Sequence, residues 1–202
     1  MDSVISVVPY AILAYLIGSI PSGLIIGKLI FGTDVRQYGS KNIGATNTYR
    51  VLGLKAALPV FLCDAAKGMI GVALFNGTPS TMILGGILAM IGHNWSIFLG
   101  FKGGRGVATG LGVLIMLSPV VSAICFALWA IIVYFTKLVS LGSIIAAAAV
   151  PVLMFVFNEP VWFVGFGGLA ALFVIVRHRE NIVRLLQGKE LKVERTKRGE
   201  EQ

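Results

Sequence analysis

The chain has 202 residues, of which 56% are hydrophobic and only 13% are charged. Soluble domains carry about 25% charged residues, and they do not repeat apolar runs of the roughly 20 residues that cross a bilayer. With a mean hydropathy of +0.88, the composition excludes a water-soluble enzyme, a secreted disulfide module and a DNA-binding domain. It indicates a polytopic membrane protein.

The formal net charge of +8 is explained by where the basic residues lie along the chain. Basic residues lie between apolar runs and near the carboxyl terminus, as the positive-inside bias of membrane proteins predicts. We therefore expect membrane lipid and anionic substrates as partners, and no nucleic acid.

The first predicted span covers residues 4–31, and we expect it to be retained because no small-residue cleavage site follows it. The sequence Gly-Ser-Ile-Pro-Ser-Gly at 18–23 predicts a kink in this span, because proline removes a backbone donor and glycine weakens a helix. The loop at 32–55 carries four cations and one acid, Asp34, which predicts a cytoplasmic position.

Six further spans follow from the same alternation of apolar runs and basic loops: 56–75, 81–98, 107–117, 119–136, 138–157 and 161–176. The stretch 107–136 is divided at Pro119 because basic loops at Arg105 and Lys137 both belong inside, which requires an even number of crossings. The segment 107–117 is short for a full span and is expected to be a half-depth helix.

The predicted fold is thus an all-α integral membrane protein. It is a seven-helix bundle with the amino terminus outside, the carboxyl terminus cytoplasmic, and short or half-depth helices. Five spans with re-entrant loops are the alternative. Residues 1–190 are expected to form the membrane catalytic domain, and residues 191–202 a flexible charged tail.

Three polar segments fall on the predicted cytoplasmic face, at 39–50, 102–109 and 177–190. A channel would distribute polar residues through its depth, so one-sided clustering favours a site at the inner membrane surface. The first segment offers hydroxyls, amides and cations without a carboxylate, from Ser40 to Arg50. Such a set suits a phosphate, although an ordinary solvated loop explains the composition equally simply.

The second segment places Gly103 and Gly104 between Lys102 and Arg105, ahead of an apolar helix. Glycine N–H groups and a helix amino terminus favour anions. The spacing differs from that of a nucleotide-binding P-loop, and close packing of small residues between helices is the alternative.

In the third segment, His178 and Asn181 share one face of a predicted helix. Nearby cations would keep this histidine neutral at pH 7, so it could accept a proton, but a helix-end position alone would also explain it. Asp64 and Lys67 lie one helical turn apart within the second span. They are interpreted either as functional groups or as an ion pair that holds the bundle.

Several catalytic patterns are absent from the sequence. Before the third polar segment at 177–190, the acids are scattered at Asp2, Asp34, Asp64 and Glu159, and neither histidine is followed by aspartate in a His-x4-Asp pattern. We therefore expect no metal, no cofactor and no covalent intermediate. An enzyme of this kind would work through positioned cations and hydrogen bonds.

Taken together, the polar motifs closely resemble those of the bacterial acyl-phosphate:glycerol-3-phosphate acyltransferases, the PlsY family. The resemblance extends over almost all of residues 1–190. The matching segments are 18–23, 39–47 with Arg50, Asp64-Ala-Ala-Lys-Gly68, Gly92-His93, 101–109 and 178–185 with Gly188 and Glu190.

This resemblance implies a bacterial inner-membrane enzyme whose active site faces the cytoplasm. It implies transfer of a fatty acyl group from acyl phosphate to the 1-hydroxyl of glycerol 3-phosphate, which gives lysophosphatidic acid, the first acylation of phospholipid synthesis. It also implies a peripheral phosphate acyltransferase as the source of acyl phosphate. A small organic-anion transporter or channel is the alternative, and a structural scaffold is a third interpretation.

The predicted site follows from these motifs and their chemistry. The catalytic candidates are His178, Asn181, Lys102, Arg50 and Ser40. The substrate-binding candidates are Asn42, Asn47, Gly103, Gly104, Arg105, Ser143 and Glu190, of which the last is expected to tie the tail helix to the core.

Two positions depart from the family pattern. Lys41 stands where the family usually has glycine, and Arg105 stands where it usually has lysine. Arginine keeps the charge but presents a planar fork in place of a compact ammonium.

Overall fold

The computed structural model describes residues 2–75 and 77–194, with side chains from Val7 onward. This part of the chain is helical and contains no strand. Two short 3-10 helices cover Val35–Gln37 and Ile97–Leu99. The α-helices are α1 (Asp2–Ser19), α2 (Ser22–Phe31), α3 (Ala45–Leu52), α4 (Leu54–Ala73), α5 (Pro79–Asn94), α6 (Val107–Leu117), α7 (Pro119–Thr136), α8 (Val139–Val156), α9 (Val161–Arg177) and α10 (Arg179–Leu186).

The apolar helices fit an integral membrane protein. Four segments are long and apolar enough to cross a bilayer: α4, α5 with its continuation to Leu99, α7 and α8. Two bent pairs, α1 with α2 and α9 with α10, raise that number to six within the described residues. The helix α6 has 11 residues, or about 16 Å, roughly half the hydrocarbon thickness. The count of seven crossings and their orientation stay predictions.

The two predicted helix breaks are confirmed. The helices α1 and α2 meet at a bend of 46°, within the Gly-Ser-Ile-Pro-Ser-Gly run. The carbonyl of Ile20, freed from the helix ladder there, accepts a hydrogen bond from Lys67 Nζ. The second break lies at Ser118, where α6 ends and α7 begins with Pro119 as its first residue.

Glycine at the crossing of α4 and α6 allows these helices to approach closely. A Cβ built at Gly68 would overlap the carbonyl oxygen of Thr109, and one built at Gly112 would overlap that of Ala65. The short helix α6 therefore packs one face closely against α4, while Ile115 and Met116 on α6 remain exposed.

The main apolar core lies between α4, α5 and the helices α6–α9. Val72, Met90, Val113, Val121 and Met154 are all at most 1% exposed there. Many large apolar side chains on α7, α8 and α9 instead point outward, which fits helices that contact lipid.

The connections at one end of the bundle contact one another. The Ser96 hydroxyl donates to the carbonyl of Ser19, which joins the loop after α5 to the end of α1. The Val193 N–H donates to the carbonyl of Lys137, which joins the chain after α10 to the turn between α7 and α8. Residues 191–194 of the predicted tail are therefore described, whereas residues 195–202 lie outside the described part.

The α4–α6 crossing predicts a strong difference between two glycine-to-alanine variants. Gly68→Ala should destabilise the protein by about 1–3 kcal/mol, because the methyl group overlaps a rigid backbone carbonyl. Gly165→Ala is the matched control, since a Cβ on this α9 glycine meets nothing within 4 Å. Thermal denaturation in detergent should show a lower Tm for the first variant only. Equal melting temperatures would contradict this account of the crossing.

Candidate active site

A cavity of about 460 Å³ opens among the helices beside the connected loops. Its polar wall combines all three polar segments of the sequence with the start of α8. The polar and charged residues on the wall are Ser40, Asn42, Thr46, Asn47, Arg50, Asp64, His93, Arg105, Ser140, Ser143, His178 and Glu190.

Away from the loops, the cavity wall becomes apolar. On α8 the lining changes from Ser140 and Ser143 to Val150, and on α9 it changes from His178 to Ala170. Eight residues of helix correspond to about 12 Å. The apolar part also includes Phe61, Met90, Leu111, Leu114, Cys125, Phe126 and Trp129. The cavity thus has a charged mouth near the loops and an apolar interior. This division of polarity matches that of an amphiphilic ligand.

Arg50 is buried at the mouth and is held by the chain that follows α10. Its Nε donates to the carbonyl of Lys192 (3.0 Å), and its Nη2 donates to the carbonyl of Leu191 (2.8 Å). Burial lowers the pKa of Arg50, while Glu190 opposes the shift. Neutral carbonyls satisfy the guanidinium donors without cancelling the charge.

Arg105 lies on the same wall and makes no hydrogen bond to the described residues. Burial lowers its pKa to about 10, against the attraction of Glu190. The group stays protonated at neutral pH, and its donors remain available. The first turn of α6 lines the cavity next to Arg105, through Val107 and Ala108, and a helix amino terminus carries partial positive charge.

The loop before α3 is organised by Asn47. Its side-chain amide donates to the carbonyls of Val35, Tyr38 and Asn42, and its Oδ1 accepts from the Ser40 N–H. Although Asn47 reaches the wall, these contacts occupy its amide, so it holds the loop and does not offer free donors to a substrate. The Ser40 hydroxyl is buried without a partner among the described residues and is the free donor here.

Two other members of this loop differ in availability. Asn42 lines the cavity, and its Oδ1 accepts from the Gly44 N–H at 2.9 Å, which leaves its amide NH2 for a ligand. Lys41 is exposed and is absent from the cavity wall. Its φ of 56° lies in the left-handed region, where glycine is favoured, so a glycine at this position would be less strained.

The glycine loop before α6 has a structural role, which differs from the anion-binding role that the sequence predicts. The Gly103 and Gly104 N–H groups donate to the carbonyls of Asn94 and His93, and neither glycine lines the cavity. The predicted set of free glycine N–H groups is therefore not found. Lys102 is exposed and does not reach the wall. Small size matters at Gly104, since a Cβ there would overlap the His93 ring.

His178 follows the last residue of α9 and is buried on the cavity wall. Its Nδ1 lies 2.7 Å from the carbonyl of Val174, so in the neutral ring Nδ1 carries the proton and Nε2 is the acceptor. Burial lowers the pKa of His178 to about 4, partly opposed by the Val174 contact, with Arg105 lowering it further. Burial, more than the cations invoked from sequence, keeps this ring neutral.

Asn181 is buried but does not line the cavity. Its Nδ2 donates to Glu190 Oε1 at 2.5 Å, while Arg184 Nε donates to Oε2 at 2.8 Å. These hydrogen bonds lower the pKa of Glu190, against the effect of its burial. Two side chains of α10 thus fix Glu190, which lies on the wall. Asn181 itself does not contact the cavity and affects the site only by holding Glu190. Ser143 also lines the cavity and donates to the Val139 carbonyl.

The Asp64–Lys67 pair is resolved as a buried ion pair at 2.5 Å. His93 Nδ1 lies 3.7 Å from the same carboxylate oxygen. Asp64 and His93 line the cavity, whereas Lys67 turns to the α1–α2 break. Within the described residues, no group of three or more His, Cys, Asp or Glu side chains is placed to hold a metal ion.

Sequence reasoning missed Arg177, which fixes the glycine loop. Its Nε donates to the carbonyl of Gly104, and its Nη2 donates to those of Gly103 and Gly104, at 2.8–3.0 Å. Its guanidinium also lies 5.5 Å from the Trp95 ring centre. A basic residue at the end of a span looks like an ordinary positive-inside cation, so the sequence carries no separate signal for this contact.

Arg177→Lys should destabilise the protein by about 1–3 kcal/mol, because an ammonium cannot reproduce the planar fork that bridges two carbonyls. Arg179→Lys, at an exposed neighbouring position, is the control. Thermal denaturation in detergent should separate the two variants. If both melt like the parent protein, Arg177 does not anchor the loop.

Comparison with known proteins identifies the family. A family model described as glycerol-3-phosphate acyltransferase matches residues 8–188. The chain is 46% identical over 186 residues to a glycerol-3-phosphate acyltransferase of Fusobacterium nucleatum, with 91% of this chain and 96% of that protein covered. It is 47% identical over 184 residues to glycerol-3-phosphate acyltransferase 2 of Moorella thermoacetica, with 90% and 95% covered.

The fold matches a solved structure as well. The crystal structure of PlsY, an integral membrane glycerol 3-phosphate acyltransferase in its glycerol 3-phosphate form, superimposes with a TM-score of 0.86 at 40% identity, covering 93% of this chain and 95% of that one. Its lysophosphatidic acid form gives a TM-score of 0.85. The family expected from the motifs is confirmed: the chain belongs to the glycerol-3-phosphate acyltransferase family and is an integral membrane acyltransferase.

Proposed function

We propose that this protein transfers a fatty acyl group from acyl phosphate to the 1-hydroxyl of glycerol 3-phosphate, giving lysophosphatidic acid and inorganic phosphate. The observation that carries the proposal is the amphiphilic cavity, whose mouth holds Arg50 and Arg105 and whose interior is apolar. An acyl phosphate has the same division, a long hydrocarbon chain ending in an anion. The solved PlsY structures, described as glycerol 3-phosphate and lysophosphatidic acid forms, support the choice of acceptor and product.

Charge at the mouth suits two anionic reactants. Arg50, Arg105 and the α6 amino terminus face the cavity, and Glu190 is tied down by Asn181 and Arg184. Two phosphates repel each other, so holding both in one place requires fixed positive charge with little compensation nearby. Lys102, exposed beside the glycine loop, contributes to the field that attracts them without touching the wall.

The reaction needs no covalent enzyme intermediate, because an acyl phosphate is already an activated anhydride. The acceptor's 1-hydroxyl oxygen attacks the carbonyl carbon, the acyl carbon–oxygen bond to phosphate breaks, and phosphate leaves with the bonding pair. Arg105 and the free Ser40 hydroxyl are placed to stabilise the charge on the carbonyl oxygen and the leaving phosphate. Ser143 and the Asn42 amide complete the polar wall.

The hydroxyl proton passes to a phosphate of the substrates, and His178 orients the reactants by accepting a hydrogen bond at Nε2. A ring with its pKa lowered to about 4 is neutral throughout the neutral range and is a weak base there. A phosphate monoester has its second pKa near 6, much closer to the working pH.

The placement in the cell is also part of the proposal. We place the enzyme in the bacterial inner membrane, with its amino terminus outside and its carboxyl terminus and active site cytoplasmic. The basic loops at 32–55 and 102–106 support that orientation. A peripheral phosphate acyltransferase is the proposed source of acyl phosphate, with residues 1–190 as the catalytic domain and 191–202 as its tail.

Purified protein should convert labelled glycerol 3-phosphate and palmitoyl phosphate to lysophosphatidic acid without added metal. Arg50→Gln and Arg105→Gln should each lower kcat/KM for glycerol 3-phosphate by about 100-fold, because each removes a positive charge from the cavity wall that faces an anion. Arg179→Gln is the control, since this residue is exposed and away from the cavity. Unchanged kinetics in both site variants would remove the proposed anion site. Transport of glycerol 3-phosphate into vesicles without product would favour an anion transporter.

His178→Ala should lower kcat while leaving the shape of the pH–rate profile unchanged. The lowered pKa means that His178 gains its proton only as the pH falls toward 4, so an acid limb near pH 6 belongs to a substrate phosphate. Steady-state rates measured from pH 5 to 9 for both proteins test this. Disappearance of the limb in the variant would make His178 the base.

A further inference from the structure

The chain after α10 folds back over the mouth of the cavity. Gly188, with a φ of 67°, reverses the chain, and the Lys189 N–H donates to the carbonyl of Arg184. The next four residues, 190–193, form a segment here called the strap. Composition alone predicts a solvated charged tail in this region. The position of the strap over the cavity depends on contacts with other parts of the fold, which composition does not reveal.

Both ends of the strap are attached to the bundle. At one end, Asn181 and Arg184 hold the two carboxylate oxygens of Glu190. At the other end, the Val193 N–H donates to the carbonyl of Lys137, in the turn between α7 and α8, at 2.8 Å. Glu190 and Val193 both line the cavity. The strap therefore crosses one side of the site from α10 to α7.

Between these attachments, the strap holds Arg50. The carbonyls of Leu191 and Lys192 accept from Nη2 and Nε of this side chain. A guanidinium has five N–H donors, so these two bonds leave the others for a ligand. The contacts join positions more than 140 residues apart in the sequence, and they use main-chain atoms, so the strap's side chains at 191 and 192 carry no signal for them.

We propose that the strap is a positioning element for the acyl transfer: its main-chain carbonyls fix the Arg50 guanidinium so that its remaining donors face the phosphate of the acceptor. The inference rests on the proposed function, in which Arg50 binds that phosphate. A bidentate hold sets both the direction and the rotation of the planar group. Because carbonyls carry no net charge, these two hydrogen bonds leave the positive charge of Arg50 available to an anion.

The test removes one strap attachment and keeps every polar side chain of the site. Val193→Pro deletes the N–H that donates to Lys137, and Val193→Ala is the reference because it shortens the same side chain and keeps that N–H. Relative to Val193→Ala, the proline variant should show a KM for glycerol 3-phosphate about tenfold higher, with kcat nearly unchanged. A purely structural weakening would instead reduce the active fraction, lowering kcat at constant KM.

A second variant controls for local distortion of the backbone by the proline at 193. Leu191→Gly combined with Lys192→Gly keeps both carbonyls but loosens the backbone, and it should raise KM in the same direction. Melting temperatures of both variants should match that of Val193→Ala, because the strap lies outside the apolar core. If KM is unchanged both in Val193→Pro relative to Val193→Ala and in the double glycine variant relative to the parent protein, the strap does not position Arg50.

The same comparison in an Arg50→Gln background separates this inference from the proposed function. With Arg50 absent, Val193→Pro should add no further rise in KM, since the two changes act through one group. An equal rise in both backgrounds would overturn the positioning role. If Arg50→Gln itself leaves KM and kcat unchanged, the failure lies in the proposed function, and the strap inference falls with it.

Discussion

Main-chain carbonyls accept hydrogen bonds from three cationic side chains that are buried or partly buried in the described part of this protein. Arg50 donates to the chain after α10, Arg177 donates to the glycine loop, and Lys67 donates to the broken end of α1 as well as to Asp64. A buried donor without a partner is costly, but a carboxylate partner would cancel the charge. For Arg50 and Arg177, carbonyl dipoles solve both problems, because they accept the hydrogen bonds and add no negative charge.

This arrangement explains how a small helical bundle can hold phosphorylated molecules beside lipid. The acid at the cavity mouth, Glu190, is engaged by Asn181 and Arg184, while Arg105 retains free donors. Deeper in the cavity the wall is apolar, so it offers hydrocarbon contacts to an acyl chain. Charge and hydrophobicity thus meet within one cavity, at the point where a soluble acceptor must reach an acyl chain.

Much of the architecture follows from local sequence signals. Apolar runs located the helices, and proline with its neighbours located the breaks at 20–21 and at Ser118. The three polar segments line one cavity. Each of them is rich in basic residues, which predicts that all three lie on the same side of the membrane. Arg50, Arg105 and His178 reach one cavity, and the family expected from the motifs is the one the comparisons identify.

What the sequence could not supply is which polar groups are already occupied. Asn47 resembles a free donor, yet its amide is used inside its own loop, and the N–H groups of Gly103 and Gly104 are used by the end of α5. These pairings depend on contacts across the fold, which residue type does not reveal. Arg177 and the strap were missed for the same reason, since their partners are carbonyls that every residue possesses.

Lys41 shows that backbone conformation and side-chain chemistry can constrain an active-site loop independently. A non-glycine residue in this conformation costs about 1 kcal/mol, yet its ammonium points to solvent and serves no wall of the cavity. Replacing Lys41 by glycine would therefore relieve main-chain strain and remove no contact with the cavity wall. A residue can thus lie inside a polar active-site loop and still be shaped by backbone conformation alone, with its charge left to the solvent.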